Sequence, residues 1–371
     1  MNVLIAGDFC PRNRVSFLVE EEKYSSILSG VRVVVSESDY SIVNFECPVA
    51  SCGCNPIPKL GPNLSCSENG LKAIRWVGFD CVTLANNHFG DYGDEGVINT
   101  IDLCRRLGLD TVGGGIDLAD AKKVLYKSIR GQQLAIINCC EHEFSIATDT
   151  HCGSNPLEPI QQYYDIKEAK SRADYVLVIV HGGHELYQLP SIRMVETYRF
   201  FIDAGADAVI NHHQHCFSGY ETYKGKPIFY GLGNFCFDTP NHRNDIWNKG
   251  LILKLNLTEK IDFELFPIVQ CSEKAAVELL DKGVYDRELE ELNSTICDLS
   301  ILKKENDKYY SSTSEHVSSI FEPIRSRFFL ACKTRGLLPS LISKKRKIQA
   351  EDYICCESHR DKLIQWLKRK P

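Results

Sequence analysis

The chain has 371 residues, 43% hydrophobic and 25% charged, the balance of a soluble globular protein with room for one large domain plus an appendage or for two ordinary domains. Its net charge of −6 gives no reason to expect nucleic acid, and an anionic substrate would need locally placed positive charge. No run of 18 apolar residues occurs, so no transmembrane segment is expected, and the brief apolar stretch after Met1 lacks the length and charge of a signal peptide.

The expected location is therefore cytoplasmic, and the 17 cysteines read as reduced thiols, several of them buried as small apolar residues. Cys52-Gly53-Cys54 is one residue too short for the usual zinc knuckle, and no second pair balances it.

Apolar runs of strand length recur at 3–6, 42–45, 81–84, 134–137, 175–180, 208–210 and 228–230. They are rich in β-branched and aromatic residues and mostly unalternated, as strands buried on both faces should be. Helix-length amphipathic segments lie between several of them, near 67–78, 94–108, 160–173 and 191–205, with Gly108 placed to cap the second. Strands alternating with helices predict an α/β domain over 1–270, closed by an antiparallel pair at 251–257 and 263–269. Pro267 should make the second member an edge.

Beyond residue 275 the texture changes. Residues 275–299 read as helix, 311–319 as a polar loop or frayed helix start, and 317–330 again as helix. Lys344-Lys345-Arg346-Lys347 reads as a solvated loop, and 364–367 as part of a terminal amphipathic helix. Residues 271–371 are thus expected to form a mainly helical extension packing on the first domain.

Five strand-like runs finish in side chains able to hold a metal or move a proton. Asp8 follows the first, and Glu46 the second. Asn86, Asn87 and His88 follow the third, with Asp91 close behind. His181, His184 and Glu185 follow the fifth; Asn211, His212, His213, Gln214 and His215 follow the sixth. Taken singly, such residues are common caps and turn formers. Parallel strands, however, align their carboxyl ends on one rim, where open α/β sheets place ligand sites.

Six of the chain's 11 histidines fall in just three of these loops. Carboxylates and imidazoles so dense would repel or stay unsatisfied unless a cation organised them. Mixed oxygen and nitrogen donors suit divalent manganese, iron or zinc. A carboxylate with ligands on either side suggests two ions, roughly 3.5–4 Å apart, clamping a phosphoryl oxygen. Arg12 and Lys59 read either as cations facing a phosphate or polycarboxylate or as surface charges. His184 and Glu185 are candidate supporting or substrate contacts, and Asn234 either closes the crevice or caps a turn.

Several of these stretches together resemble a known family. They are Gly7-Asp8, Asn44-Phe45-Glu46-Cys47-Pro48, Lys59-Leu60-Gly61-Pro62 and Leu84-Ala85-Asn86-Asn87-His88 with Asp91-Tyr92-Gly93. In order there follow Val180-His181-Gly182-Gly183-His184-Glu185, the run 205–215 ending His212-His213-Gln214-His215, and Tyr230-Gly231-Leu232-Gly233-Asn234-Phe235. The combination resembles the bacterial capsule-synthesis (CapA, poly-γ-glutamate synthesis) proteins, themselves similar to the calcineurin-like metallophosphoesterases.

That resemblance implies an α/β fold, a four-layer αββα sandwich with a C-terminal helical extension. It implies a metal-dependent hydrolase, a phosphoesterase working on a phosphorylated small molecule or polymer intermediate. Asp8, Glu46 and His215 would hold one ion; Glu46, Asn87, His181 and His213 would hold the second, with Glu46 bridging. His88, oriented by Asp91, would protonate the leaving oxygen.

Two departures stand out. The broader phosphoesterases carry a histidine two residues after the first aspartate, where this chain has Cys10. The cofactor is then two ions, or one if the first is lost, unless Cys10 itself ligates. Asn211 and Gln214 stand where relatives commonly show Gly and Pro, which alters the loop and spares its ligands. Two rival readings stay open: an amide (γ-glutamyl) hydrolase or transferase on the same metals, and a non-catalytic accessory protein binding polymer or a synthase partner.

Overall fold

The first strand, Asn2–Cys10, runs through the middle of an eight-stranded sheet, and eight of its nine residues are buried. It lies parallel to Tyr40–Phe45 on one side and antiparallel to Lys249–Asn256 on the other. At Asp8 it leaves the second neighbour and pairs instead with Asn234–Phe237, and the register shifts there against both parallel partners. Such an irregularity re-aims a side chain at a sheet's rim. Gly7 permits the crossing: a Cβ there would lie 1.8 Å from the Gly233 carbonyl oxygen, the same oxygen that accepts the Asp8 N–H at 3.3 Å. This computed structural model describes residues 1–50, 53–319, 321–324, 326–335 and 337–368. Cys52 of the cysteine pair falls outside them.

The sheet's order is Val277–Leu279, Asp262–Gln270, Lys249–Asn256, Asn2–Cys10, Tyr40–Phe45, Cys81–Thr83 and Asp110–Val112. A second sheet of six strands runs Tyr220–Tyr223, Lys226–Phe229, Ala208–His212, Tyr175–His181, Gln132–Cys140 and Leu125–Ile129. Its inner strands are parallel, so the ends of Tyr175–His181 and Ala208–His212 share a rim with His212 opposite His181.

Side-chain alternation sorts the apolar residues into three layers. Val3, Ile5 and Ile42 of the first sheet meet Leu134, Ile136 and Ile179 of the second. Leu4, Ala6 and Val43 face outward onto helices through Ile27, Val31, Leu71 and Ile74. Val176 and Val178 of the second sheet face outward onto Ile166, Val195 and Phe201. The result is the four-layer αββα sandwich. The inner strands are apolar on both faces because each face packs on something, which is why their runs lack alternation.

The helices expected from spacing are present as Glu68–Val77, Gly93–Leu107, Pro159–Arg172 and Ile192–Ala204. Gly108 ends the second in the left-handed region, at φ 68°. Two more, Arg14–Glu20 and Tyr24–Ser36, were not anticipated.

Pro267 does not mark an edge. Residues beyond it, 268–270, pair with Val277–Leu279, and the proline's own carbonyl accepts the Leu280 N–H at 2.9 Å. The ring removes a donor and leaves the acceptor usable. Residues 275–299 are accordingly not one helix: a strand and a turn at Gly283 (φ 87°) precede the helix Asp286–Cys297. Residues 311–319 belong to the helix Leu299–Ser319, with Ser311, Ser312 and Thr313 hydroxyls bonded to carbonyls one turn back. The basic run 344–347 opens the helix Lys344–Cys355, capped by Ser343, and all four side chains are exposed.

The chain divides into two compact units, Met1–Lys303 and Lys304–Pro371. The second is helical, with Arg327–Thr334, Lys344–Cys355 and Glu357–Lys368 following the end of Leu299–Ser319. Among the described residues no helix is long and apolar enough to cross a membrane.

Candidate metal centre

Asp8, Glu46, Asn87, His181, His213 and His215 come together where the two sheets meet, and all six are buried. Asp8, Glu46 and His215 have donor atoms mutually within 4.8 Å, and so do Glu46, His181 and His213. Glu46 is common to both groups. Asn87 joins the second through its Oδ1, 3.0 Å from His181 Nε2, while His213 Nδ1 lies 3.1 Å from that same nitrogen.

Neighbours fix how these groups present themselves. His215 Nδ1 lies 2.9 Å from Asn234 Oδ1 and donates to it, leaving the Nε2 lone pair toward Glu46 Oε1 at 3.5 Å. The ring is also held by Trp247, its centroid 4.6 Å away, and by the edge of Phe237 at 5.2 Å. Asp8 Oδ1 accepts from Asn44 Nδ2 at 2.7 Å, and its Oδ2 from the His213 N–H at 3.3 Å. His213 and His215 both hold positive φ, 92° and 54°, a strained backbone for non-glycine residues that aims both rings into one pocket.

The electrostatics fit a cation. Both Glu46 oxygens are buried with no hydrogen-bond partner among the described residues. Burial, then the Asp8 carboxylate beside it, pushes the Glu46 carboxyl well above its ordinary range. Burial raises Asp8 as well. It also drives His181 well below the usual imidazole range and His215 down to about 4, with neighbouring imidazoles adding to both. Neutral imidazoles beside orphaned carboxylate oxygens are a ligand set awaiting positive charge.

His88 sits at the margin. Its Nδ1 donates to Asp91 Oδ2 at 2.7 Å, an oxygen that also accepts the Leu64 N–H at 2.6 Å. Nε2 is then the atom that can give or take a proton. Lys59 forms an ion pair with Asp91 Oδ1, its Nζ 3.1 Å from His88 Nδ1.

Two residues expected near substrate are engaged within the protein. The Lys59 side chain is only 2% exposed, its charge matched by Asp91, so it supports the His88–Asp91 pair. Asn234 is fully buried, and its amide is committed to His215 Nδ1 and to the carbonyls of His215 and Trp247. It orients His215. Asn234→Ala should weaken ion binding about 10–100-fold, the usual cost of losing a ligand's supporting partner. Calorimetric titration with Mn²⁺ measures it.

Arg12 is partly exposed and lies over the Phe237 ring at 6.0 Å. Arg14 is clamped on the buried Asp238 and on the carbonyls of Cys271, Ser272 and Glu273. His184 is half-buried beside Tyr187, and burial holds its imidazole below the ordinary range. Glu185 is exposed, with a carboxylate oxygen within 4.8 Å of donor nitrogens of His213 and His215.

Glu143 was missed. Its Oε2 accepts from Asn87 Nδ2 at 3.3 Å and its Oε1 lies 3.8 Å from His213 Nε2. The strand expected to stop at 137 runs on as Gln132–Cys140, which carries Glu141 and Glu143 to the rim. Carrying the apolar run on through Cys140 puts Glu141 and Glu143 just past its end, where the strand-end reading finds them.

Residues 2–239 match the profile described as bacterial capsule synthesis protein PGA_cap, a span that contains every residue of the centre. The chain belongs to this capsule-synthesis family. The capsule biosynthesis protein CapA of Bacillus anthracis is 32% identical over 300 residues, 78% of this chain and 72% of the relative. The PGA biosynthesis protein CapA of Bacillus subtilis (strain 168) is 33% identical over 242 residues, 64% of this chain and 63% of the relative. Among solved structures, a 5'-nucleotidase precursor from Thermus thermophilus aligns with a TM-score of 0.41 at 10% identity, over 85% of this chain and 59% of that one. Within this capsule-synthesis protein, Asn211 bonds the carbonyls of Gly182, His212 and Tyr230, so the residue standing for glycine locks the histidine loop and leaves its ligands in place.

Proposed function

We propose that the protein is a cytoplasmic, metal-dependent phosphoric ester hydrolase serving capsule or surface-polymer synthesis. The observation that carries this reading is the sharing of buried, unpartnered Glu46 by two donor groups. Asp8, Glu46 and His215 would hold one divalent ion, and Glu46, Asn87, His181 and His213 a second; manganese, iron or zinc suits the donors. Bound ions of this kind supply Lewis acidity and neutralise charge on a phosphoryl oxygen.

The chain's own groups do the rest. Arg12 offers a cation at the rim for a phosphate or polymer carboxylate. Water attacks phosphorus and gives up a proton to solvent, the bond to the leaving oxygen breaks, and His88 gives that oxygen its Nε2 proton while Asp91 and Lys59 hold the imidazole. Residues 1–270 carry this machinery, within the unit Met1–Lys303, and the helical unit Lys304–Pro371 is suited to a synthase partner. The names of the two Bacillus relatives support the polymer context.

A second reading, binding of polymer without turnover, is favoured by Cys10, which removes a donor from the first ion. Elemental analysis of the purified protein, followed by turnover of aryl phosphate mono- and diesters and γ-glutamyl anilides with added Mn²⁺, separates the possibilities. Bound transition metal with metal-stimulated phosphoester cleavage is expected. Cleavage of the anilides alone would move the chemistry to amides, and bound metal without cleavage of either would favour the binding role.

A further inference from the structure

Cys10 stands two residues after Asp8, but its side chain is fully buried in the layer between the first sheet and its helices, the thiol against that of Cys47. It belongs to neither donor group. An ion on Asp8, Glu46 and His215 would therefore have three protein ligands from this set, whereas its neighbour would have four once Asn87 is counted.

A further carboxylate faces this deficit from the exposed side. Glu185 shares a donor group with His213 and His215. Its loop is tied to theirs: the Leu186 N–H donates to the Gln214 carbonyl at 2.8 Å, and Gln214 Nε2 donates to the Tyr187 carbonyl at 3.0 Å. Glu185 is thus pinned across from the two histidines. Among the described residues its carboxylate has no hydrogen-bond or ion-pair partner, and its charge adds to the repulsion on Glu46. An exposed acidic side chain held by its backbone beside two buried imidazoles, with no ion-pair partner among the described residues, is placed to offer its carboxylate to a cation bound there.

We infer that Glu185 is a ligand of the ion held by Asp8, Glu46 and His215, supplying the donor that Cys10 cannot. The inference rests on the proposed metal centre. It also gives that ion three carboxylates and one imidazole, a harder donor set than its neighbour's, which favours manganese or ferrous iron over zinc at this position.

Titration calorimetry of chelator-treated protein with Mn²⁺, backed by manganese electron paramagnetic resonance, tests it. Wild type should take up two ions. Glu185→Gln should keep one at wild-type affinity and bind the other at least ~10-fold more weakly. Cys10→Ser should bind both as wild type does. Glu185 is exposed, so E185Q should melt like wild type in chelator, which separates lost binding from lost folding.

Unchanged affinities in E185Q overturn the inference, whether wild type binds two ions or one. A weakened ion in C10S with a silent E185Q assigns the donor to Cys10 and overturns it equally. No uptake by wild type overturns the metal centre itself, and Glu185's role with it.

Discussion

Glu46→Gln should abolish uptake of both ions and yet make the metal-free protein more stable. Glu46 is the donor shared by both groups, so its loss should exceed the roughly 10–100-fold that removing a supporting residue costs. In the metal-free fold the same carboxyl is buried, unpartnered and pressed by Asp8. Removing a buried unsatisfied charge of this kind is worth about 1–3 kcal/mol, a few degrees in melting temperature. The group is there for what it binds.

The gain should depend on pH in a defined direction. The folded-state pKa of Glu46 lies above its ordinary value of 4.5, so between those two values the folded protein binds more protons than the unfolded one. Its contribution to stability is therefore lost as pH rises above 4.5. Wild type and E46Q should melt alike near that pH in chelator and diverge as pH rises, with E46Q the higher. His181 and His215 are depressed in both proteins and largely cancel in the difference. Saturating Mn²⁺ should reverse the order, because only wild type gains from binding. Equal melting curves at pH 8 in chelator would show that Glu46 is not strained.

His88→Ala should lower turnover of an aryl phosphodiester about 10²–10⁴-fold, the usual worth of a positioned proton donor, or ~3–5 kcal/mol of barrier. Metal content should not change, since His88 falls in neither donor group. The loss should appear in kcat, and an ester with an acidic phenol leaving group should be least affected because it departs without a proton. The same variant tests the rival reading. If polymer or capsule formation in the producing cell survives His88→Ala, the crevice acts by binding.

Why was the centre legible and its surroundings less so? Asp8, Glu46, Asn87, His181, His213 and His215 all stand at or just beyond apolar runs of strand length, and a parallel sheet converts that local position into a shared rim. Lys59 gave no such signal: it pairs with Asp91 across 32 residues of sequence, and a lysine beside Gly61-Pro62 looks like any exposed loop cation. Asn234 opens a strand of four residues that joins the first sheet only beside Asp8–Cys10, too short to show a pattern. The helix Tyr24–Ser36 carries Val31, Val33, Val34 and Val35, β-branched residues that favour strands. It is helical because Ile27, Val31, Val34 and Val35 lie on one face and pack onto the first sheet.

The six central donors divide evenly: Asp8, Glu46 and Asn87 lie at or beyond the carboxyl ends of strands of the first sheet, and His181, His213 and His215 of the second. Each donor group draws from both sheets. An ion seated there would consequently be a cross-link between the two halves of the sandwich, made at a margin where their apolar interlayer gives way to polar side chains. Stripping it away would release that seam first, so cations held there would double as fasteners, and the proposed centre would couple the fold's cohesion to metal supply.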